Sequence, residues 1–299
     1  MFIGNPKQKK QPIARHNQHI AYLFLFPSLA VFMVFIIYPI GFSLWSSFTN
    51  WSLIQSAEYV GWANYVRLWK DQRFWNAVYN TVVYTVGVVP IGTMLSLALA
   101  VALNQNLKGT KFFRTAIFLP VVASTAIIAI VWTFLFDPQI GLFVYYLSKI
   151  RITMGAWLRD PDYAMLAIII VSIWKNVGFN MVIFLAGLQG IPYSLYEAAK
   201  VDGANRLQMF RYVTLPQLRP TTAFVIVMSV LGSFQVFDQI YVMTRGGPLY
   251  STETLVQYIY HHGFVTFQMS YGATIAMFLL VVILALTIFQ LRLFDRPID

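Results

Sequence analysis

The segment SIWKNVGFN, residues 172–180, sets a lysine and two amides into the middle of an apolar run. Ser172, Asn176 and Asn180 fall four apart, which places them on one face of a helix. Lys175 stands among them. An ammonium group at the centre of a membrane costs about 2.5–3.5 kcal/mol even on the lenient insertion scale, so such a residue faces a cavity or a partner. A second apolar run carries Ser229, Ser233, Gln235 and Asp238. Two facing helices with these groups can hydrogen-bond the hydroxyls of a sugar, and Trp174 or Phe179 can stack on its ring. Lys175 and Asp238 can equally pair with each other or across a subunit boundary. Ser172 and Ser229 also suit helix–helix hydrogen bonding, which needs no ligand.

Other chemistries lack their residues. No GxxxxGK[ST] loop is present to cradle a nucleotide, and there is no HExxH and no nucleophile elbow. Cysteine is absent, so thiolate metal sites and disulfides are excluded. His261 and His262 are adjacent, so they point to opposite sides of a helix or strand and make a poor pair of metal ligands; a wet interfacial helix is the expectation there.

The elements that must position these groups are membrane helices. The 299 residues are 58% hydrophobic and 11% charged, too little polar surface to cover a globule in water, where roughly 25% charge is usual. Apolar segments long enough to cross a bilayer of roughly 30 Å are predicted at 20–44, 76–103, 114–136, 163–188, 221–242 and 269–291. The first runs too long for a signal-peptide core and lacks a small-residue cleavage site. Residues 1–19 form an N-terminal segment, 190–220 a long polar loop and 292–299 a tail. The net charge of +10 is dispersed over several loops rather than gathered for nucleic acid. Thirteen of the 21 Lys and Arg residues lie on the side of the termini and seven on the other, which predicts cytoplasmic termini. Trp45, Trp51, Trp62 and Trp69 cluster in the first opposite-side loop as interface anchors. The segments FDPQIG (136–141) and RGGPLY (245–250) mark turns on that side.

The polar loop reads EAAKVDGANRLQMFRYVTLP over 197–216. Ile191 and Pro192 end the fourth span, and the residues from Tyr193 favour a short helix along the membrane face. Gly203 permits a turn, a second helix follows, and Pro216 and Pro220 open the fifth span. The small residues Ala198, Ala199 and Ala204 leave the bend able to enter a cleft, flanked by Glu197 and Asp202, which can pair with basic groups of a partner.

With Phe210, Leu215 and Pro216, that pattern resembles the Glu-Ala-Ala loop of permease subunits of binding-protein-dependent ABC importers. The resemblance extends over most of the chain, through FLFPSLAVFMVFIIYPI, GWANY, RTAIFLP, WKNVGFNMVIFLAGLQGIPYSLYEAA, SFQVFDQIYVMTRGGP and YGATIA. It is closest to the maltose-type, carbohydrate-uptake branch. Val213 stands where isoleucine is common, and the amides are fewer than in the maltose-type pattern. The resemblance implies an all-α membrane protein with six transmembrane helices of the type I importer permease fold and a cytoplasmic coupling helix. It implies Glu197, Ala198, Ala199, Asp202, Gly203 and Ala204 as the coupling residues, with Glu197 in a salt bridge to the ATPase and Gly203 a hinge. The translocation site it implies is lined by Ser172, Asn176, Phe179, Gln235 and Val236, to which the residues themselves add Lys175, Asn180, Ser233 and Asp238. The implied partners are a second permease, two ATPase subunits holding ATP and Mg, a solute-binding protein and a sugar. The chain itself would bind no cofactor and catalyse no reaction, in the cytoplasmic membrane of a bacterium or archaeon. The rival reading is an ion-coupled secondary transporter with Lys175 and Asp238 as its charge pair.

Overall fold

The computed structural model describes residues 15–52, 56–105, 109–149 and 155–294. The expected segment 1–19 and tail 292–299 lie largely outside them, as do Lys7, Lys9, Lys10, Lys108, Arg151 and Arg296 of the charge count. The described chain is helical, with one isolated antiparallel bridge between Thr49 and Tyr59.

Four helices are long and apolar enough to span a membrane: Tyr22–Ser46, Gln72–Leu103, Ala164–Gln189 and Met269–Phe294. At 1.5 Å per residue the 26 residues of Ala164–Gln189 reach about 39 Å, more than the hydrocarbon core requires. The four coincide with the expected first, second, fourth and sixth spans. The other two expected spans are broken. Thr110–Val122 and Thr125–Leu135 meet at 99°, because Ala123 (φ −71°, ψ 145°) and Ser124 are extended and Pro120 removes one helical donor just before them. The fifth stops at Phe234 after 16 residues, about 24 Å of rise. Gln235, Val236 and Phe237 then leave the helix before Asp238–Met243 resumes it.

The second span packs most extensively on the fourth, and the fifth lies against the second, while Asp238–Met243 turns aside to pack on Thr125–Leu135. At Gly178 the third and fourth spans touch backbone to backbone, since a Cβ there would overlap the Ile117 carbonyl; small residues let membrane helices approach in this way. The first span is different. None of its most apolar stretch is buried by the other described residues.

Three apolar clusters hold the body together. One, around Met181, Phe184, Leu188, Leu218 and Val225, closes the end that carries the 190–220 loop. A second, around Phe74, Leu255, Tyr258, Tyr271 and Ile275, closes the far end. A third, around Tyr84, Ile128, Phe136, Ile168, Val236 and Ile240, fills the space between the broken spans and the fourth. The break in the fifth span is anchored by Thr254, whose hydroxyl donates to the Val236 carbonyl at 3.2 Å.

Candidate functional site

Where the fifth span breaks, a cavity of about 310 Å³ opens between it and the second and fourth spans. Irregular backbone at membrane depth is tolerated where it lines such a cavity. Lys175, Asn176, Phe179, Asn180, Ser233, Gln235 and Asp238 all line it, with Ser229, Tyr84, Phe237 and Gln239. Helical spacing brings the first four to one side, and the unwound turn at 235–237 brings Gln235 and Asp238 to the other.

Ser172 does not line the cavity. Its side chain is fully buried: Tyr84 donates to its Oγ at 2.9 Å, and that hydroxyl lies 2.6 Å from Gln239 Oε1 as donor. The helical spacing of Ser172, Asn176 and Asn180 is correct, but the Tyr84 ring and Gln239 cover the first of them. Ser172 therefore ties the second and fourth spans to Asp238–Met243. Gln239 escaped the sequence reading although it adjoins Asp238 as a further polar residue of an apolar run; Tyr84 carried no signal among other spanning aromatics.

The amides are partly engaged. Asn176 Nδ2 donates to the Ser172 carbonyl at 3.0 Å and Asn180 Nδ2 to Ser229 Oγ at 3.2 Å. Lys175 is 7% exposed. Asp238 faces the same cavity, yet the two do not close into a direct ion pair; among the described residues that contact is made by Arg73 and Glu253.

The 190–220 loop is a capped helical hairpin on the surface. Tyr193–Val201 is helical and ends in a Schellman motif: Ala204 N–H donates to the Ala199 carbonyl at 2.9 Å and Gly203 N–H to the Lys200 carbonyl at 3.0 Å. Gly203 supplies the left-handed residue this requires, φ +79°. The bend is thus a fixed turn, not a loose joint. Asn205 and Gln208 form a capping box that starts the return helix. Tyr196 Oη and Thr214 Oγ1, 3.0 Å apart, hold the two arms together. Glu197, Ala198, Asp202 and Gly203 are exposed and Ala199 and Ala204 half-buried. Val201 and Leu207 stand 88% and 74% exposed beside them, an apolar tip that none of the described residues covers.

At the far end, Arg73 grips Glu253 with two 2.8 Å hydrogen bonds. Asp71 accepts from Tyr258 at 2.6 Å and Tyr271 at 2.5 Å. Burial acts to raise the Asp71 carboxyl, but those hydroxyls and the Phe74 and Arg73 amides outweigh it and hold its pKa below the ordinary 3.8. His262 lies between the Tyr258 and Tyr271 rings, 4.5 and 4.8 Å away. It is buried, with neither ring nitrogen partnered among the described residues, which corrects the expectation of a wet helix there. Burial, then the charges of His261, Arg67 and Arg73, push its pKa down to about 4.

A membrane body with a polar cavity at a broken helix and an exposed capped hairpin at one end describes a transport permease. The chain belongs to the family of binding-protein-dependent transport system inner membrane components, whose model matches residues 92–298. It is 37% identical over 287 residues to the probable ABC transporter permease protein YurN of Bacillus subtilis strain 168, covering 94% of this chain and 98% of that one. It is 34% identical over 281 residues to the sn-glycerol-3-phosphate transport system permease protein UgpA of Yersinia pestis, covering 93% and 95%. Its fold matches a chain in the crystal structure of a bacterial ABC transporter involved in import of the acidic polysaccharide alginate, with TM-score 0.84 and 26% identity over 95% and 98% of the two chains. The choice posed by Lys175 and Asp238 is thereby settled: the chain is a permease subunit of an ABC importer, not a gradient-driven carrier.

Proposed function

We propose that this permease translocates a carbohydrate or carbohydrate derivative handed over by a solute-binding protein. It works beside a second permease and above two ATPase subunits that hold ATP and Mg. The observation that carries the coupling half of this reading is the 193–217 hairpin. Its bend is fixed by Gly203, Glu197 is presented to solvent, and Val201 and Leu207 form an apolar tip left bare. Such a tip suits a protein-binding surface, and the resemblance to the Glu-Ala-Ala loop supports the ATPase as the binder. The hairpin end and both termini then face the cytoplasm.

The cargo half rests on the cavity, where amides, hydroxyls and the half-exposed Phe179 ring suit a polyhydroxylated solute. Relatives named for glycerol phosphate and alginate transport agree with it. The first span, unburied by the described residues along its most apolar stretch, is available to the second permease and to lipid. ATP binding draws the ATPases together, the hairpins follow, and the spans rock so that the cavity opens in turn to either side.

The test is ATP-driven uptake in cells carrying Glu197→Lys or Gly203→Pro. Proline fixes φ near −65° and lacks the N–H that Gly203 gives to Lys200, so it breaks the turn. Both variants are expected to abolish uptake while the chain still inserts in the membrane. Normal uptake in both would sink the coupling role of this loop.

A further inference from the structure

Two of the residues lining the cavity are charged, and they are of opposite sign: Lys175 on the fourth span and Asp238 at the resumption of the fifth. They face the same space without closing on each other. The amide nitrogens of Asn176 and Asn180 are engaged, and their Oδ1 atoms have no hydrogen-bond partner among the described residues. The fourth-span side of the cavity therefore offers the Lys175 ammonium as a donor beside two amide oxygens, and the facing side offers the Asp238 carboxylate as an acceptor beside the Gln235 amide and the Ser233 hydroxyl.

A hydroxyl both donates and accepts, so a run of hydroxyls satisfies such a lining completely. A phosphate or carboxylate only accepts. Brought to Lys175 it would share a cavity of about 310 Å³ with the Asp238 carboxylate and two amide oxygens, in surroundings where like charges repel far more strongly than in water. The attraction of one fixed charge is offset by the other, which discriminates against an anion without any steric device.

We propose that this pathway is built for an uncharged, polyhydroxylated solute whose neighbouring hydroxyls accept from Lys175 and donate to Asp238, and that an acidic group on the solute is rejected. The proposal rests on the carbohydrate reading above and narrows it. It sets this chain apart from relatives named for sn-glycerol 3-phosphate and for an acidic polysaccharide.

The experiment is ATP-driven uptake in cells with the complete importer, against cells lacking this chain. The labelled probes are paired: glycerol with glycerol 3-phosphate, glucose with glucose 6-phosphate and with glucuronate, and maltose with maltobionate. Uptake of a neutral probe and not of its acidic counterpart is expected. Uptake of the acid overturns the proposal but leaves the carbohydrate reading standing; uptake of no probe in the panel overturns both.

With the transported probe, Lys175→Met and Asp238→Asn are each expected to reduce uptake about ten- to a hundredfold, as loss of a charge-assisted hydrogen bond would. The double variant should recover nothing. If the two residues merely neutralise each other, the double variant regains uptake. If Lys175 serves an anion, Asp238→Asn leaves uptake intact or raises it. Either result overturns the proposal. Co-purification of the partner subunits checks assembly, and Lys175→Arg with Asp238→Glu give a graded readout should the neutral variants fail to assemble.

Discussion

His262 is held neutral by its surroundings. Its ring is wedged between Tyr258 and Tyr271, with no partner for either nitrogen among the described residues, and Arg67, Arg73 and His261 add positive charge nearby while Asp71 supplies the opposing field. The folded pKa of about 4 lies below the ordinary 6.5. Above 6.5 neither the folded nor the unfolded chain protonates this ring. Between 6.5 and about 4 the unfolded chain takes up a proton that the folded chain refuses, so stability falls as pH drops through that window. Thermal unfolding of the purified chain in mild detergent should show this fall, and His262→Phe should make it shallower. An unchanged slope in the variant would place the titration elsewhere. Gly203 makes a different point at the same scale: the sequence shows that a glycine is needed, and the structure shows why, because a Schellman cap demands its left-handed φ.

At the scale of elements, the long spans were legible because their apolar runs exceed the thickness of a bilayer, and hydropathy reads length directly. The two breaks were not. Ala123–Ser124 and Gln235–Phe237 lie inside runs that stay apolar on average despite scattered polar residues, and neither contains a glycine or proline at the break itself. What unwinds the fifth span is tertiary, including the Thr254 hydroxyl that satisfies the Val236 carbonyl. The cavity was therefore legible as a set of polar residues but not as a place, and the sequence left open whether Ser172 meets a ligand or another helix because its cover comes from Tyr84 and Gln239 on other elements. The far-end clamp was missed altogether, since Arg73 and Glu253 are 180 residues apart.

That clamp pins the segment before Leu255–Tyr260 to the start of the second span. The Glu253 side chain is 3% exposed, so Arg73→Met strands a buried carboxylate, at a cost of about 3–5 kcal/mol. The expected result is a clear drop in the unfolding temperature of the purified chain. Replacing both residues with methionine should recover much of it, because the uncompensated charge is gone. A double variant as unstable as the single one would show that packing, not the stranded charge, sets the cost.

At the scale of the molecule, the chain is half of a machine by its own surfaces. It has a first span whose most apolar stretch the described residues leave unburied, and a bare apolar tip on a fixed hairpin. Each is a face that a folded body leaves uncovered only when something else covers it. The most direct measurement is purification of this chain from native membranes in mild detergent, with mass spectrometry of what stays bound. A second permease and an ATPase with a nucleotide-binding loop should be retained, and Glu197→Lys should release the ATPase while keeping the permease. Recovery of the chain alone under gentle extraction, or an ATPase that remains bound to the Glu197→Lys variant with unchanged uptake, would contradict the hairpin as the point at which ATP drives transport.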